Sequence, residues 1–516
     1  MNRLTMNSFL LTAVFGLILA WFPAFARAGA NSPPNDQAQV DPAPKSSAFL
    51  SIAVGEAVIM ALQNNRSIQV ESMNPAILRT YEDQESAVFD PLFSAGATAY
   101  STREADGSGN EREGAGAEFD AALAKKLQTG ATVSAGAETN LDTGDDLPDQ
   151  YATRLGLDLV QPVFQGRGRA VNLANLRQAS LDSSLSQYEF RGFTEALVAR
   201  VETSYWDLVL AQRRVAIVEE SMALAQQQLN ETRHRIEVGK LAEIEIAAAE
   251  AEVALRREAL INAKSLVESL TVRVLRLIRP QDLALPGRDL STKSAPAADQ
   301  LDMGPLSDHI NKALAMRPDI KQAELLIERN DLELVKTKNG LLPRMDLFVS
   351  LGKTGYADSF GGSTSDLTGS AYDVAGGVAF ELPVGNRDAK ARHKRTLLTR
   401  EQRQRALLNI KDLTRQDVEL AYIEKDRAWQ LVDATAITRR FKEETLRAET
   451  AKFRVGKSTG LLVGQAQRDL LASQVAEVEA LITFLKARIN LLFLDGSLLA
   501  TRGLEIPEET IHLPEY

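Results

Sequence analysis

Two stretches of this sequence place the same tripeptide at the end of a long charged helical pattern. The first is HRIEVGKLAEIEIAAAEAEV (His234–Val253), and the second is AKFRVGKSTGLLVGQAQRDL (Ala451–Leu470). Glycine tolerates the left-handed backbone that a chain reversal needs, and a lysine beside it complements the negative end of a helix. The two stretches therefore predict helical hairpins that turn at Gly239 and Gly456.

The helices that lead to these turns are of nearly equal length. Residues 169–238 comprise 70 residues and residues 387–455 comprise 69. At 1.5 Å per residue, each would be about 100 Å long. Residues 163–279 contain no proline, so the first long helix is predicted to be broken only at Gly239. Return helices are predicted over residues 243–279 and 460–492.

A different pattern precedes each long helix. Residues 92–160 alternate apolar with small or polar side chains in four runs, and residues 344–382 do so in two. A period of two predicts strands, six in all. A tight turn is predicted at KKLQTG (125–130), whereas the connections 102–116 and 138–152 are longer and polar. The alternative is four strands in the sheet, with residues 115–138 forming a hairpin outside it.

Each predicted strand has one apolar face and one face of serine, threonine, glycine, aspartate or arginine. A soluble sandwich and a membrane barrel both have this pattern. Short turns on one side and long polar loops on the other are typical of a membrane barrel. The strands alone leave both architectures open.

The order of the predicted elements occurs twice. Ala61-Leu62 matches Ala313-Leu314 and Pro91 matches Pro343, both at a spacing of 252 residues. We interpret this as a tandem duplication. The first repeat covers residues 49–279 (helices 49–90, strands 92–160, long helix 169–238, return helix 243–279). The second covers residues 305–492 (helices 305–340, strands 344–382, long helix 387–455, return helix 460–492), with a linker at 280–304 and a C-terminal tail at 493–516.

Composition excludes several classes of protein. The net charge of −10 and the pI near 5.3 argue against nucleic acid as a partner. The chain has no cysteine, which excludes disulfides, cysteine-ligated zinc and a lipid-modified N-terminal cysteine. The four histidines have no metal-ligand spacing, and no catalytic or nucleotide motif is found. We therefore predict neither an enzyme nor a bound cofactor.

The N-terminus has the features of an export signal. Arg3 is followed by 14 apolar residues (9–22) and by small residues that suit a signal peptidase. Fourteen residues are short for a membrane-spanning helix, which needs about 20. We predict a signal peptide at 1–28 and a flexible leader at 29–48. No other stretch is apolar enough to span a membrane as a helix, so any later entry into a membrane must use strands.

The chain resembles the TolC-type outer-membrane efflux proteins. The resemblance covers roughly residues 49–505 and rests on the duplicated order, on LVQPVFQGRGRAVNLANLRQA (159–179), on VETSYWDLVLAQ (201–212) and on the two Val-Gly-Lys turns. It implies an α+β membrane protein whose transmembrane β-barrel is continuous with a long periplasmic α-helical coiled-coil barrel. Such proteins are homotrimers in the outer membrane, surrounded by its lipid, with a periplasmic extension.

The resemblance also implies partners for the hairpin turns. In this family the turns meet a periplasmic adaptor, which connects the duct to an inner-membrane pump of the RND or ABC type. We expect docking at Gly239, Lys240 and Leu241 in one turn and at Gly456, Lys457 and Ser458 in the other.

The sequence departs from the best-known member at the narrow periplasmic mouth. Two aspartates of that member, six and nine residues after the second glycine, are Leu462 and Gln465 here, and an arginine two residues after it is Ser458. The matching acid of the first repeat is retained as Glu245. We therefore predict a mouth closed by apolar packing of Leu462. The alternative is a polar lock between Glu245 and Lys457.

The predicted function is a passive exit duct for small molecules in a tripartite efflux system. Two alternatives keep the duct and change the cargo, to a protein in type I secretion or to metal ions. A third is a periplasmic coiled-coil scaffold that does not span the membrane. The strands favour the duct over the scaffold, because an adaptor should have one hairpin flanked by small globular β domains, without duplication.

Overall fold

The computed structural model describes residues 50–105, 111–144, 147–278, 290–297 and 304–504. The predicted signal peptide and leader lie outside these residues. The first half contains β1 (Leu50–Ile52), α1 (Val54–Asn64), α2 (Arg66–Glu71), α3 (Asn74–Ser86), β2 (Leu92–Ala105), β3 (Glu111–Lys126), β4 (Thr132–Gly144), β5 (Leu147–Pro162), α4 (Arg169–Asn172), α5 (Ala174–Glu237) and α6 (Glu245–Ile278). The second half contains β6 (Leu290–Thr292), α7 (Leu306–Met316), α8 (Pro318–Asn339), β7 (Arg344–Ala357), α9 (Phe360–Asp366), β8 (Tyr372–Glu381), α10 (Arg387–Arg454), α11 (Gly460–Leu494) and α12 (Leu498–Thr501).

Six strands form one antiparallel sheet in the order β2-β3-β4-β5-β7-β8. The β3–β4 hairpin pairs with β2 on one side and with β5 on the other. Residues 115–138 therefore lie inside the sheet, and the four-strand alternative is wrong. Strands β2 and β8 are its two edges, each with one side unpaired within the described chain.

The strands are longer than the apolar alternation predicts. Strand β2 extends to Ala105 and β3 begins at Glu111, while β4 extends to Gly144 and β5 begins at Leu147. Most residues of the two predicted loops, 102–116 and 138–152, therefore belong to strands. The alternation signal disappears there because both faces become polar, although the backbone ladder continues. Helix α9, which packs on β5 and β7, was not predicted.

The helices form two long hairpins, α5 with α6 and α10 with α11. Helix α8 packs between α5 and α10, and α11 packs on α5 as well as on α10. The main core lies where α1, α5, α6, α11 and α12 meet, around Tyr205, Leu208, Ile278 and Ile482. The Tyr205 hydroxyl donates to the Ile52 carbonyl at 3.0 Å and accepts from the Ser294 amide at 3.0 Å. Tyr205 thereby attaches the small parallel β1–β6 sheet to this core.

Four predicted boundaries need correction. The region 49–90 begins with a strand, β1, and the linker 280–304 contains its partner, β6. The first long helix is interrupted at Leu173 as well as at Gly239, beside Asn172, whose side-chain amide donates to the Gly166 and Gly168 carbonyls. The predicted tail from 493 is structured to Leu504: α11 continues to Leu494, and α12 follows with Leu498 buried.

The observed bounds recur at two fixed spacings. Helices α1 and α7, and strands β2 and β7, begin and end 252 residues apart. The turn glycines Gly239 and Gly456 are 217 apart, and α5 and α10 are uninterrupted up to them. Equivalent positions can thus be assigned in both halves. No helix in the described part of the chain is long and apolar enough to cross a membrane.

Candidate functional site

The two hairpin turns have the same backbone geometry. Gly239 and Gly456 have φ of +72° and +75°, the left-handed region that favours glycine. The Gly239 amide donates to the Ile236 carbonyl and the Lys240 amide to the Arg235 carbonyl, at 2.9 and 2.8 Å. At the second turn the corresponding bonds, to Phe453 and Lys452, are 3.1 and 2.8 Å. Both are Schellman motifs, which satisfy the last carbonyl groups of a helix.

The predicted docking residues differ in their exposure. Lys240 and Lys457 are exposed, as are both glycines, whereas Leu241 and Ser458 are half-buried. The Ser458 hydroxyl donates to Glu449 Oε2 at 2.8 Å. Hydrogen bonds from Lys452 and Ser458 lower the pKa of the Glu449 carboxyl. Ser458 thus closes its own turn, and among the described residues the side chains of Lys240 and Lys457 have no hydrogen-bond or ion-pair partner.

Exposed apolar side chains surround the two lysines. Ile244 is 81% exposed, Val455 69% and Leu461 65%. Large exposed apolar groups next to charges are typical of a protein-binding surface. The two turns together therefore form a candidate docking surface.

The first turn contacts the second through Arg235. Its Nη1 donates to the Phe453 carbonyl at 3.2 Å, and its guanidinium carbon lies 4.7 Å from the centre of the Phe453 ring. Phe453 is buried. Sequence reasoning missed this contact, although both residues lie inside the two quoted stretches, one turn before each glycine.

A second polar link joins the return helices. Arg468 Nη1 on α11 is 2.7 Å from Glu252 Oε2 on α6, and Arg256 Nη2 is 2.6 Å from Glu252 Oε1. Glu252 and Arg256 are buried, so the pairing offsets part of the cost of removing their charges from water. The ends of the two hairpins are thus held together in two places.

The predicted mouth residues lie at the start of the return helices. Leu462 is 46% exposed and Gln465 is exposed. Glu245 is half-buried and faces α11: a Cβ built on Gly460 would lie 3.1 Å from its Oε2. Among the described residues, Glu245 and Lys457 do not pair. The structure brings Glu245 to Gly460 and leaves Leu462 open to solvent.

The sheet has two chemically distinct faces. Residues that lie directly opposite each other on neighbouring strands point to the same face of the sheet. Following these pairs from strand to strand gives a row of residues across all six strands. This apolar row is Phe93, Leu123, Ala135, Leu157, Leu351 and Val374. A row on the other face contains Asp120, Glu138, Arg154 and Thr354. The apolar face is exposed, with Phe93 at 68% and Val374 at 65%.

An ion pair lies across the polar face. Arg154 Nη2 on β5 is 2.7 Å from Asp373 Oδ2 on β8, with β7 between them. A Cβ on Gly156 would lie 2.9 Å from Arg154 Nη1, and one on Gly352 would collide with Asp373. These glycines therefore leave room for the two charged side chains to lie close to the strands.

A buried polar cluster joins the ends of several helices. His309 Nδ1 on α7 is 2.6 Å from Asp495 Oδ2 at the end of α11, and both residues are buried. Nearby on α5, burial raises the pKa of the Glu195 carboxyl to about 7, although Arg191 Nε lies 3.2 Å from Glu195 Oε1 and favours the charged form.

These features define a class: chains that join a sheet with one apolar and one polar face to two long helical hairpins. The family model described as outer membrane efflux protein matches residues 58–278 and 309–497. That is more than half of the chain, and the chain belongs to the outer membrane efflux protein family.

Individual relatives are distant but cover most of the chain. The outer membrane efflux protein BepC of Brucella suis biovar 1 (strain 1330) is 24% identical over 72% of this chain and 79% of its own. The probable efflux pump outer membrane protein TtgC of Pseudomonas putida (strain KT2440) is 24% identical over 86% of this chain and 82% of its own.

Solved structures show the same fold. The outer-membrane channel OprN has a TM-score of 0.66 at 17% identity, covering 92% of this chain and 99% of that one. The Campylobacter jejuni CmeC outer membrane channel has a TM-score of 0.63 at 14% identity, covering 92% and 94%.

Proposed function

We propose that this chain is the outer-membrane exit duct of a tripartite efflux system, through which small molecules pass passively from an inner-membrane pump and a periplasmic adaptor to the outside. Membership of the outer membrane efflux protein family supports this proposal. So do the relatives, two of which are named as outer membrane proteins of toluene and antibiotic efflux pumps.

The observation that carries the proposal is the two-faced sheet with two open edges. Lipid can cover the apolar row, whereas the polar row suits a water-filled lumen. Unpaired edge strands are unfavourable in a membrane, and closure into a barrel removes them. Strands β2 and β8 run in opposite directions, so β8 of one copy can pair with β2 of the next and continue the antiparallel order.

We propose three copies, which close the sheet as eighteen strands and the hairpins as a helical tunnel. The resemblance to the family supplies the number three. The tandem duplication is part of the same proposal. Because each copy has two similar hairpins, three copies would place six similar hairpins around the tunnel in a nearly regular ring. The chain would reach the outer membrane after removal of residues 1–28, with its helices in the periplasm.

The alternative of a periplasmic scaffold outside the membrane fits the sheet poorly. Its exposed row of Phe93, Leu123, Leu157, Leu351 and Val374 would then face water. The alternatives that change the cargo, protein secretion or metal-ion efflux, use the same duct. Cargo is expected to depend on the pump rather than on this chain.

The proposed adaptor site is the docking surface at the two turns, Gly239–Leu241 and Gly456–Ser458. Its support is the combination of exposed Lys240 and Lys457 with exposed apolar neighbours. In this arrangement the apolar groups would supply most of the buried area and the lysines would favour an acidic partner.

We further propose that Leu462 closes the mouth. Leu462 and Gln465 are one turn apart on α11, so they share a face. With threefold symmetry, three Leu462 side chains could form an apolar constriction that excludes water. Burying part of their surface would contribute about 2–4 kcal/mol in all, at roughly 25 cal/mol per Å². Adaptor contacts of ordinary size could open such a closure.

The mass of the protein extracted from outer membranes in mild detergent tests the assembly. Native mass spectrometry should give three copies of the mature chain. A single copy, at concentrations where the protein remains folded by circular dichroism, would rule out a closed barrel built in this way.

A further inference from the structure

A cleft of about 260 Å³ lies beside the main core, where α1, α5, α11 and the end of α12 meet. Most of the side chains that line it are apolar, and they include Val58, Ile59, Trp206, Leu485, Ile489 and Leu504. Ile59 is 51% exposed, whereas Val58 and Trp206 are buried at the bottom of the cleft. Concave apolar surfaces of this kind bind apolar side chains or ligands.

Two arginines line the same cleft, Arg488 on α11 and Arg502 directly after α12. Arg502 pairs with Glu202 of α5, with Nε 2.6 Å from Oε1 and Nη2 2.7 Å from Oε2. Glu202 is buried and is the acidic residue of the lining. With two arginines and one glutamate around it, the cleft has an excess of positive charge.

The end of α12 directs the chain into this cleft. The Gly503 amide donates to the Ala500 carbonyl at 3.0 Å, and the Leu504 amide donates to the Leu499 carbonyl at 2.9 Å. Gly503 has φ of +67°, so these two bonds form a Schellman motif. The motif fixes the direction in which the chain leaves α12. Leu504, the last residue that the structure describes, therefore lines the cleft.

The sequence that follows has the complementary chemistry. Residues 505–516, EIPEETIHLPEY, lie outside the described residues and carry four glutamates and no lysine or arginine. Ile506 is two residues after Leu504, so their Cα atoms are at most about 7 Å apart. Pro507 favours an extended backbone at Ile506, and alternate side chains of an extended chain point the same way. Three of the glutamates surround Ile506 in the sequence: Glu505, Glu508 and Glu509.

We propose that residues 505–509 dock in this cleft of their own chain, with Ile506 in its apolar part and the glutamates near Arg488 and Arg502. The contact removes Ile506 and Ile59 from water, and the opposite charges add attraction. The structure favours this occupant because Leu504 already lines the cleft, so the next residues are held there at a high effective concentration. The docked segment fastens α12, and with it the end of α11, to α1 and α5.

The absence of cysteine makes the docking testable by cross-linking in the full chain. Ile59→Cys and Ile506→Cys are introduced together, and outer membranes are treated with a short bismaleimide. We expect mass spectrometry to find the two positions linked, without gel bands of two or three copies. The matched control joins Ile506→Cys to Asn311→Cys, the exposed residue of α7 that is equivalent to Ile59 at the spacing of 252. The control should give at least tenfold less linked peptide.

Charge reversal tests the polar part of the contact. In the Ile59→Cys/Ile506→Cys chain, Glu508→Lys with Glu509→Lys should lower the linked fraction at least threefold, because Arg488 and Arg502 would then repel the segment. Glu515→Lys, which lies outside the docked residues, should leave the linked fraction unchanged. Equal linking in all three chains would contradict the charge complementarity.

Tryptophan fluorescence gives a second measurement that needs no cross-link. In a Trp429→Phe background, Trp206 is the only tryptophan after residue 28. A chain that ends at Leu504 should show quenching of Trp206 by acrylamide at least twofold stronger than the full chain.

Four results overturn the inference: equal quenching with and without residues 505–516, no link between positions 59 and 506 in assembled protein, equal linking in the Asn311→Cys control, or links between copies. The inference concerns contacts within one chain, so each of these results leaves the proposed duct standing. A native mass of one copy, in contrast, would contradict the duct and leave the docking in place.

Discussion

Arg235 of the first hairpin donates to the Phe453 carbonyl of the second at 3.2 Å, and its guanidinium lies over the Phe453 ring. Phe453 is the residue whose carbonyl also accepts the Gly456 amide in the second Schellman motif. One side chain therefore connects the geometry of the two turns. The docking surface depends on this connection, because it includes residues from both.

Replacing Arg235 should loosen the second turn. Arg235→Ala removes a charge-assisted hydrogen bond and a cation–π contact, which together stabilise by about 1–3 kcal/mol. Amide hydrogen exchange of residues 454–458 should become about tenfold faster. Arg233→Ala is the control, because Arg233 pairs with Glu250 of its own hairpin and is half exposed. Equal exchange in both variants would show that Arg235 does not hold the turn.

Charge reversal at the turns should impair efflux. Lys240→Glu with Lys457→Glu places two acids on the docking surface and should repel an adaptor that complements the lysines. We expect lower drug tolerance with an unchanged yield of assembled protein. Lys293→Glu with Lys312→Glu is the control, since both lysines are exposed and lie away from the turns. Unchanged tolerance would place docking elsewhere.

An acid at the mouth should change conductance. In planar bilayers, Leu462→Asp should raise the resting conductance and introduce block by divalent cations, because in the proposed trimer three carboxylates would replace three leucine side chains. Gln465→Asn, a polar change one turn away, should leave both properties as they are. If Leu462→Asp alters neither conductance nor block, Leu462 does not line the mouth. A polar lock by Glu245 and Lys457 would then be the better account.

The buried Glu195 should make stability depend on pH. Burial raises its pKa to about 7, so the folded state holds a proton that the unfolded chain releases near pH 4.5. This favours folding at low pH, and the advantage is lost as pH rises from about 4.5 to 7. Glu195→Gln should therefore match the parent protein at pH 4.5 and be more stable above pH 7, by up to about 3 kcal/mol.

Thermal unfolding in detergent at several pH values measures this difference. The neighbours that act on Glu195 are Arg191, Arg317 and Asp495, and all are retained in the variant. Glu189→Gln on the same helix is an exposed control. A constant difference between Glu195→Gln and the parent across the whole pH range would contradict the prediction.

The hairpins were predictable because their signals are local. The turn at Gly239 needs a left-handed residue, and the long run before it contains no proline. Six strands were predictable because an apolar face alternates at a fixed period. Their outer ends were not, because the apolar alternation stops before Gly114 and Thr143, although the strand pairing continues through them.

Long-range contacts explain the other errors. Strand β1 was predicted as helix, since three residues carry no period and its partner β6 lies 240 residues away. Residues after Asp495 were predicted as a tail, yet Asp495 is buried against His309, 186 residues earlier. The docking and mouth residues could be proposed from the sequence. The contacts of Arg235 and Glu252 that join the two hairpins could not be predicted, because they form only when one hairpin packs on the other.

The accumulation of a fluorescent efflux substrate in cells tests directly whether this chain is an efflux duct. The host strain lacks its own outer-membrane efflux proteins and expresses the adaptor and the pump of a tripartite efflux system. Adding the chain should lower accumulation severalfold, and Lys240→Glu with Lys457→Glu should abolish that effect. Accumulation as high as without the chain, although three-copy assemblies are present in the outer membrane, would contradict an efflux duct.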